Sequence, residues 1–203
     1  ECDMEMDYNK IYNKILTDEE FMEIKQHGSS DYPFQYYYDN LELFDFHCIE
    51  WHWHREFEFL YVESGQVTCG IGEKQIILSE GEAIFINSKI LHQFYASSDG
   101  VIPNFVCMPE FIAPENSLIY KKYILPIISS NIYFQRFQTD ELWQTKIIQT
   151  MIKIMEIQGT METIPAAMKN RETAEMIPEM RKLRRKKRTC YFGFDAGFMA
   201  DFL

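Results

Sequence analysis

His52, His54 and Glu58 stand two and four residues apart in EWHWHREFEFLYVESG, residues 50–65. Side chains alternate across a strand, so all three face the same way if the pleat runs unbroken from 52 to 58. Trp51, Trp53, Phe57, Phe59 and Tyr61 then face the other way, where packing under helices is the expected role. Imidazole nitrogens and a carboxylate oxygen together suit a first-row divalent ion such as zinc, nickel, iron or manganese. A three-ligand set has room for a fourth, and His92 in ILHQF offers it from a later strand. The same four side chains have a second chemistry. Without a metal they can line a polar pocket and hydrogen-bond a ligand hydroxyl or amine. Tyr36, Tyr38 and Phe94 are added as candidates for the ligand-facing mouth, with core packing as their other role. His47 depends for its parity on any bulge and is left outside the site, and His27, in a loop before Gly28, is expected to be solvated.

These residues need strands to hold them, and the sequence supplies strand-like runs in close succession. FQYYYDN, LELFDFHCIEW, EFEFLYVES, QVTCGIG, KQIILSEG, EAIFINS, ILHQFYAS and VIPNFVCM are short, rich in β-branched and aromatic residues, and separated by Gly, Asn, Asp or Ser. That density predicts a mainly β, antiparallel sandwich or barrel. Helices are expected on either side. Residues 8–26 carry a short amphipathic pattern in which TDEE reads as a cap and acidic first turn. NSLIYKKYILPII reads as a short helix and DELWQTKIIQTMIKIMEIQ as a longer one. In the longer one Ile147, Ile148, Met151, Ile152, Ile154 and Met155 form an apolar stripe at helical spacing. The stripe either packs on the barrel or pairs with a second copy of the helix. The expected organisation is a helical arm over 1–30, a barrel over 31–112, a helical dimerisation segment over 113–160 and an irregular basic tail over 161–203.

Composition narrows the function classes. A chain of 203 residues, 46% hydrophobic, can bury one real core with an appendage. No run of eighteen apolar residues and no leader-like start is read, so neither a membrane span nor a signal peptide is expected. Five scattered cysteines without a CxxC argue against a disulfide framework or zinc ribbon and suit a reducing cytoplasm. Cys48, Cys69 and Cys107 lie in apolar runs and read as inert thiols. Of 20 basic and 31 acidic residues, 8 and 5 fall in residues 171–203, so residues 1–170 carry 12 and 26, near −14. Such a surface repels phosphate backbones. The basic run RKLRRKKR, residues 181–188, reads as a solvated face, with nucleic-acid contact as its other reading.

HWHREFEFLYVESG resembles the first motif of the cupin superfamily, HxH, three residues, Glu, six residues, Gly, with every spacing met. GEAIFINSKILH resembles the second motif, in which a Pro-x-Gly turn precedes the histidine. Asn87 and Lys89 replace that Pro and Gly, and Ala96 stands where the motif ends in Asn. The fifteen residues between Gly65 and Gly81 fit the shortest spacing between the motifs. With its Phe-Ile-Asn in place of the turn, the pair is similar to the sensor cupins at the N-terminus of AraC-family transcription regulators. The likeness continues into the helical stretches and fades near residue 160. It implies a double-stranded β-helix, or jelly-roll barrel, with N-terminal and C-terminal helices. It also implies a small-molecule effector, a sugar or other small metabolite, bound inside the barrel beside the motif residues His52, His54, Glu58 and His92. A homodimer through the C-terminal helices is implied too.

In that family a DNA-binding domain of two helix-turn-helix units follows. Here only the irregular tail does, so DNA contact is expected through a domain absent from the chain, and truncation or a shifted reading frame is the expected cause. Two function classes remain. One is a sensor that binds a ligand in the barrel and biases the arm and the dimer helices. The other is a stand-alone metal-dependent cupin enzyme of the dioxygenase or sugar isomerase type, which needs open positions on its ion. Against the enzyme stand the altered second motif and the lack of any further acid/base partner legible in the sequence. The sensor, not an enzyme, is the expected class.

Overall fold

A computed structural model describes residues 14–97 and 99–162. Nine strands pair antiparallel: β1 Phe34–Asn40, β2 Cys48–His52, β3 Phe57–Tyr61, β4 Ser64–Ile71, β5 Lys74–Ser79, β6 Ala83–Ile86, β7 His92–Tyr95, β8 Gly100–Cys107 and β9 Phe134–Phe137. One set runs β2-β7-β4-β5 and the other β1-β8-β3-β6-β9, and the start of β4 pairs with β8 to join them. The mainly β, jelly-roll architecture expected of the sequence is the one found. No helix among the described residues is long and apolar enough to cross a membrane.

Two cores follow from the strand period. Leu60, Val67, Ile71, Ile84, Phe94 and Ile102 belong to the cluster inside the barrel. The alternate residues Phe57, Phe59, Phe85 and Phe105 face outward and are covered by helices. Those helices are α1, Pro109–Ile112; a π turn, Tyr120–Ile124, running into α2, Leu125–Ile128; and α3, Leu142–Glu162. Ile147, Ile148, Met151 and Met155 of α3 are buried on the outer sheet face, so packing on the barrel is what the apolar stripe does. Each such side chain, fully buried, contributes about 1.5–3 kcal/mol.

Three expectations need correction. The amphipathic pattern of residues 8–26 predicts a helix, yet no helix is found over residues 14–26, and residues 8–13 lie outside those described. Thr17 and Glu23 bridge antiparallel, and the Asp18 carboxylate accepts from the amides of Glu20 (2.9 Å) and Met22 (2.8 Å). The capping chemistry of TDEE is thus used to close a hairpin turn, with Phe21 in the left-handed region at φ 66°. LELFDFH does not run straight as a strand. It folds into two 3₁₀ turns: Leu41–Leu43, capped by the Asn40 side chain, and Asp45–His47, where Phe46 and His47 are both left-handed. The segment after the barrel is not wholly helical: β9 adds FQRF to the sheet edge, where Arg136 pairs with Ile84 and binds Glu82 through both carboxylate oxygens at 2.6 Å. The basic run, Cys2 and Cys190 lie outside the described residues.

Candidate functional site

His52, His54, Glu58 and His92 are all buried, and a ligand atom from each lies within 4.8 Å of the others. The continuous pleat expected to align them does not exist. β2 ends at His52 and β3 begins at Phe57, in the other strand set, so the chain turns a corner through His54 and Arg55. The three residues converge because the corner folds His54 back over Glu58. His52 stands opposite His92 in the β2–β7 pair, with ring centroids 4.2 Å apart, and the register slips between Ile49 and His52.

The turn carrying His92 is held by the residues that depart from the second motif. Asn87 is buried, and its side-chain amide donates to the carbonyls of Ile127 (2.8 Å) and Ile132 (2.9 Å). Lys89 adopts φ 62°, the conformation that a glycine takes without cost, and its amide donates to the His54 carbonyl at 2.8 Å. Asn87 and Lys89 therefore rebuild the turn rather than abolish it, and tie it to α2 and to the corner.

The hydrogen bonds fix two of the three imidazoles. The carbonyl oxygens of Glu50 and Ile90 can only accept, so Nδ1–H of His52 (2.8 Å) and of His92 (2.7 Å) must donate to them. Both Nε2 atoms are left for the cluster. Carbonyl partners of this kind are what orients a metal-binding histidine. His92 Nε2 lies 2.9 Å from Glu58 Oε2 yet makes no aligned hydrogen bond, and His54 Nε2 lies 3.2 Å from the same oxygen. Burial, then the neighbouring His92, pushes the His52 imidazole well below its usual range. Burial would lower His92 as well, but the Glu58 carboxylate outweighs it and the net shift is upward. Burial alone would raise Glu58; His92 and His54 reverse this and hold it below the usual carboxylate range. A neutral His52, an orphaned His92 Nε2 and a carboxylate kept ionised are a donor set fit for a divalent cation.

A cavity of about 490 Å³ opens from this cluster. Of the other ligand candidates only Phe94 lines it. Tyr36 is buried in the outer core under the helices, and Tyr38 is 58% exposed with its hydroxyl donating to Glu63. The parity of β1 runs the other way, and Tyr37 and Asp39 face the cavity instead. His27, expected to be solvated, is buried: its Nδ1 is 2.9 Å from the Tyr37 hydroxyl, its Nε2 is 3.1 Å from Glu23, and its ring meets that of His54 at 5.4 Å. Its one local signal is the adjacent Gly28, whose φ of 71° turns the chain toward β1.

Trp53 does not pack under the helices either. Its amide donates to Phe21, its carbonyl accepts from Glu23, and its indole N–H donates to the Glu20 carbonyl at 2.8 Å. The residue between the two histidines thus carries the hairpin of residues 14–27 that walls the cavity. Trp51 instead lies against Gly70. Cys69 and Cys107 are buried with thiols pushed up by burial, consistent with inert packing.

Residues 48–105 match the cupin domain family. These residues have the cupin fold. The chain is 25% identical over 147 residues to the uncharacterized HTH-type transcriptional regulator YdeC of Bacillus subtilis (strain 168), covering 70% of this chain and 50% of that protein. The chain therefore spans about half the length of this curated relative. Among solved structures it is similar to a cupin-2 domain containing protein from Shewanella frigidimarina NCIMB 400, at 22% identity and a TM-score of 0.31, over 38% of this chain and 72% of that one. A conserved protein of unknown function from Streptococcus pyogenes matches at 24% identity and a TM-score of 0.30, over 31% and 55%.

Proposed function

We propose that this chain is the small-molecule-sensing and dimerisation part of an AraC-type transcription regulator, with its effector bound inside the cupin barrel. The observation that carries the reading is the cavity itself. It runs from His52, His54 and Glu58 of the buried cluster to a hairpin held through Trp53, the residue between the two histidines. An occupant of the cavity touches both, so occupancy biases the hairpin. Such a bias works only if the ligand prefers one arrangement by a definite free energy. The regulator relative, about twice as long as the matched stretch, supports DNA contact through another domain and a cytoplasmic setting; the homodimer through the C-terminal helices is part of the proposal.

His52, His54, Glu58 and His92 would hold the divalent metal, with Asn87 and Lys89 fixing the turn beneath His92. When bound, the ion supplies a Lewis-acidic point for an oxygen or nitrogen of the effector. Zinc, nickel, iron and manganese all suit this donor set.

One observation favours the second reading, a metal-dependent enzyme. The Glu23–His27–Tyr37 chain places an acid/base group beside the cluster. One experiment separates the two. The chain is loaded in turn with each metal and screened against a metabolite library by thermal shift, and every compound that stabilises it is then recovered and analysed. A sensor returns its effector unchanged and sediments as a dimer. Consumption of the compound at a rate that depends on His27 would overturn the sensing reading in favour of catalysis.

A further inference from the structure

Beside the histidine cluster the cavity has a second polar wall that metal binding does not use. It is made of Glu23, His27, Tyr37 and Asp39. Glu23 and His27 are buried, and His27 Nε2, although 3.1 Å from the Glu23 carboxylate, makes no hydrogen bond. Asp39 accepts a single side-chain hydrogen bond, from Asn104 Nδ2 at 2.8 Å. Ionised carboxylates only accept hydrogen bonds, so an occupant that satisfies this wall must bring donors.

The wall also shows where a cation fits. The Lys25 ammonium stands 4.3 Å from the centroid of the Tyr37 ring, and its charge favours the ionised form of Asp39. Without a cation seated deeper, burial and then the carboxylates Glu58 and Glu23 push Asp39 up to about 6, despite the hydrogen bond from Asn104. A neutral polyol would satisfy the acceptors but bring no charge to the carboxylate wall of the cavity. An anion would add like charge. An ammonium group satisfies both needs, and an aromatic face beneath it adds attraction.

Resting on the sensing reading above, we infer that the effector carries a protonated amine, seated between Glu23 and Asp39 over the Tyr37 ring. Lys25, on the hairpin, is a tethered stand-in that the amine displaces. The cavity volume, about 490 Å³, suits a small metabolite with its amine at this wall and its remaining polar groups toward the histidines.

The test uses the smallest probe that carries the recognised group. The full chain is titrated with methylammonium chloride, with methanol and with potassium chloride, while the side-chain carboxyl groups are followed by NMR. Methylammonium is expected to give a saturable shift at Asp39 and Glu23 that the other two do not. Asp39→Asn and Glu23→Gln should each lose that response, and Lys25→Met should bind the probe severalfold more tightly because its competitor is gone. Methylammonium behaving like potassium chloride would overturn the inference, as would unchanged affinity in Lys25→Met. A neutral or anionic metabolite that binds through the same wall would also overturn it while leaving the sensing reading intact. Failure of compounds of every charge to stabilise the chain would count against both.

Discussion

His92 places Nε2 2.9 Å from Glu58 Oε2 while its Nδ1–H donates to the Ile90 carbonyl at 2.7 Å. A neutral imidazole so bonded would aim a lone pair at a carboxylate. The pair is tolerable only with a positive charge between them, either a proton on the ring or a metal ion. The upward shift of His92 and the downward shift of Glu58 are the proton's version of that charge.

Metal uptake should therefore displace a proton from His92, since ligands must be deprotonated to bind. Affinity is expected to rise with pH through the titration of His92. The apparent binding enthalpy in calorimetry should change with the ionisation enthalpy of the buffer. Heats identical in two buffers of very different ionisation enthalpy would show that no proton leaves. Ala at His52 or His54 should abolish stoichiometric metal while leaving the far-ultraviolet circular dichroism intact.

Glu58→Gln removes the counter-charge of a buried imidazole. In chelator, the raised pKa of His92 contributes stability at low pH that is lost as pH rises through that pKa. The lowered pKa of Glu58 contributes stability above the ordinary carboxylate range that is lost as the solution is acidified. The wild-type chain is thus most favoured in the window between the two. Breaking the pair there should cost about 3 kcal/mol. Urea melts of wild type and Glu58→Gln that coincide near neutrality would refute the pairing.

Much of this was legible in the sequence, and the misses share physical causes. The spacing from His52 to Gly65 and the position of His92 identified the cluster, because ligand types and turn residues are local signals. Alternation placed Phe57 and Phe59 correctly under the helices. It failed for Tyr36 and Tyr38, because the parity of β1 is set by its pairing with β8 (Tyr37 opposite Asn104) and not by anything within FQYYYDN. It also gave the right convergence for the wrong reason at His54, where a corner replaces the pleat. His27 and the hairpin of residues 14–27 were missed because Trp53, far away in sequence, decides their conformation. The amphipathic spacing of residues 8–26 carries no trace of that contact.

Gly65, the last residue of the first motif, tests the barrel rather than the ligands. It adopts φ 82°, and a Cβ added there would fall 1.8 Å from the Asp99 carbonyl oxygen. Backbone meets backbone, so no rotamer change can relieve the clash. Gly65→Ala should combine left-handed strain of about 1–2 kcal/mol with displacement of the β4–β8 junction. We expect a loss of at least about 3 kcal/mol, or insoluble protein. Gly72→Ala is the control. It is also left-handed, at φ 55°, but has nothing within 4 Å, so it should cost only the strain.

Asp39 gives the clearest dependence on pH outside the cluster. Its carboxyl is pushed from 3.8 up to about 6, chiefly by burial. The folded chain therefore holds this proton more tightly than the unfolded one. Between pH 4 and 6 the unfolded state loses the proton first, so stability falls as pH rises through that window and stays lower above it. A shift of this size corresponds to at most about 3 kcal/mol. Asp39→Asn keeps an oxygen to accept from Asn104 and removes the buried charge. In chelator and without added amine, the variant should be more stable than wild type at pH 7.5, by up to that amount, and the difference should vanish near pH 3.5. An advantage independent of pH would assign the effect to packing. If the variant were destabilised at pH 7.5, the ionised carboxylate would have to be contributing to the fold, for example by pairing with Lys25.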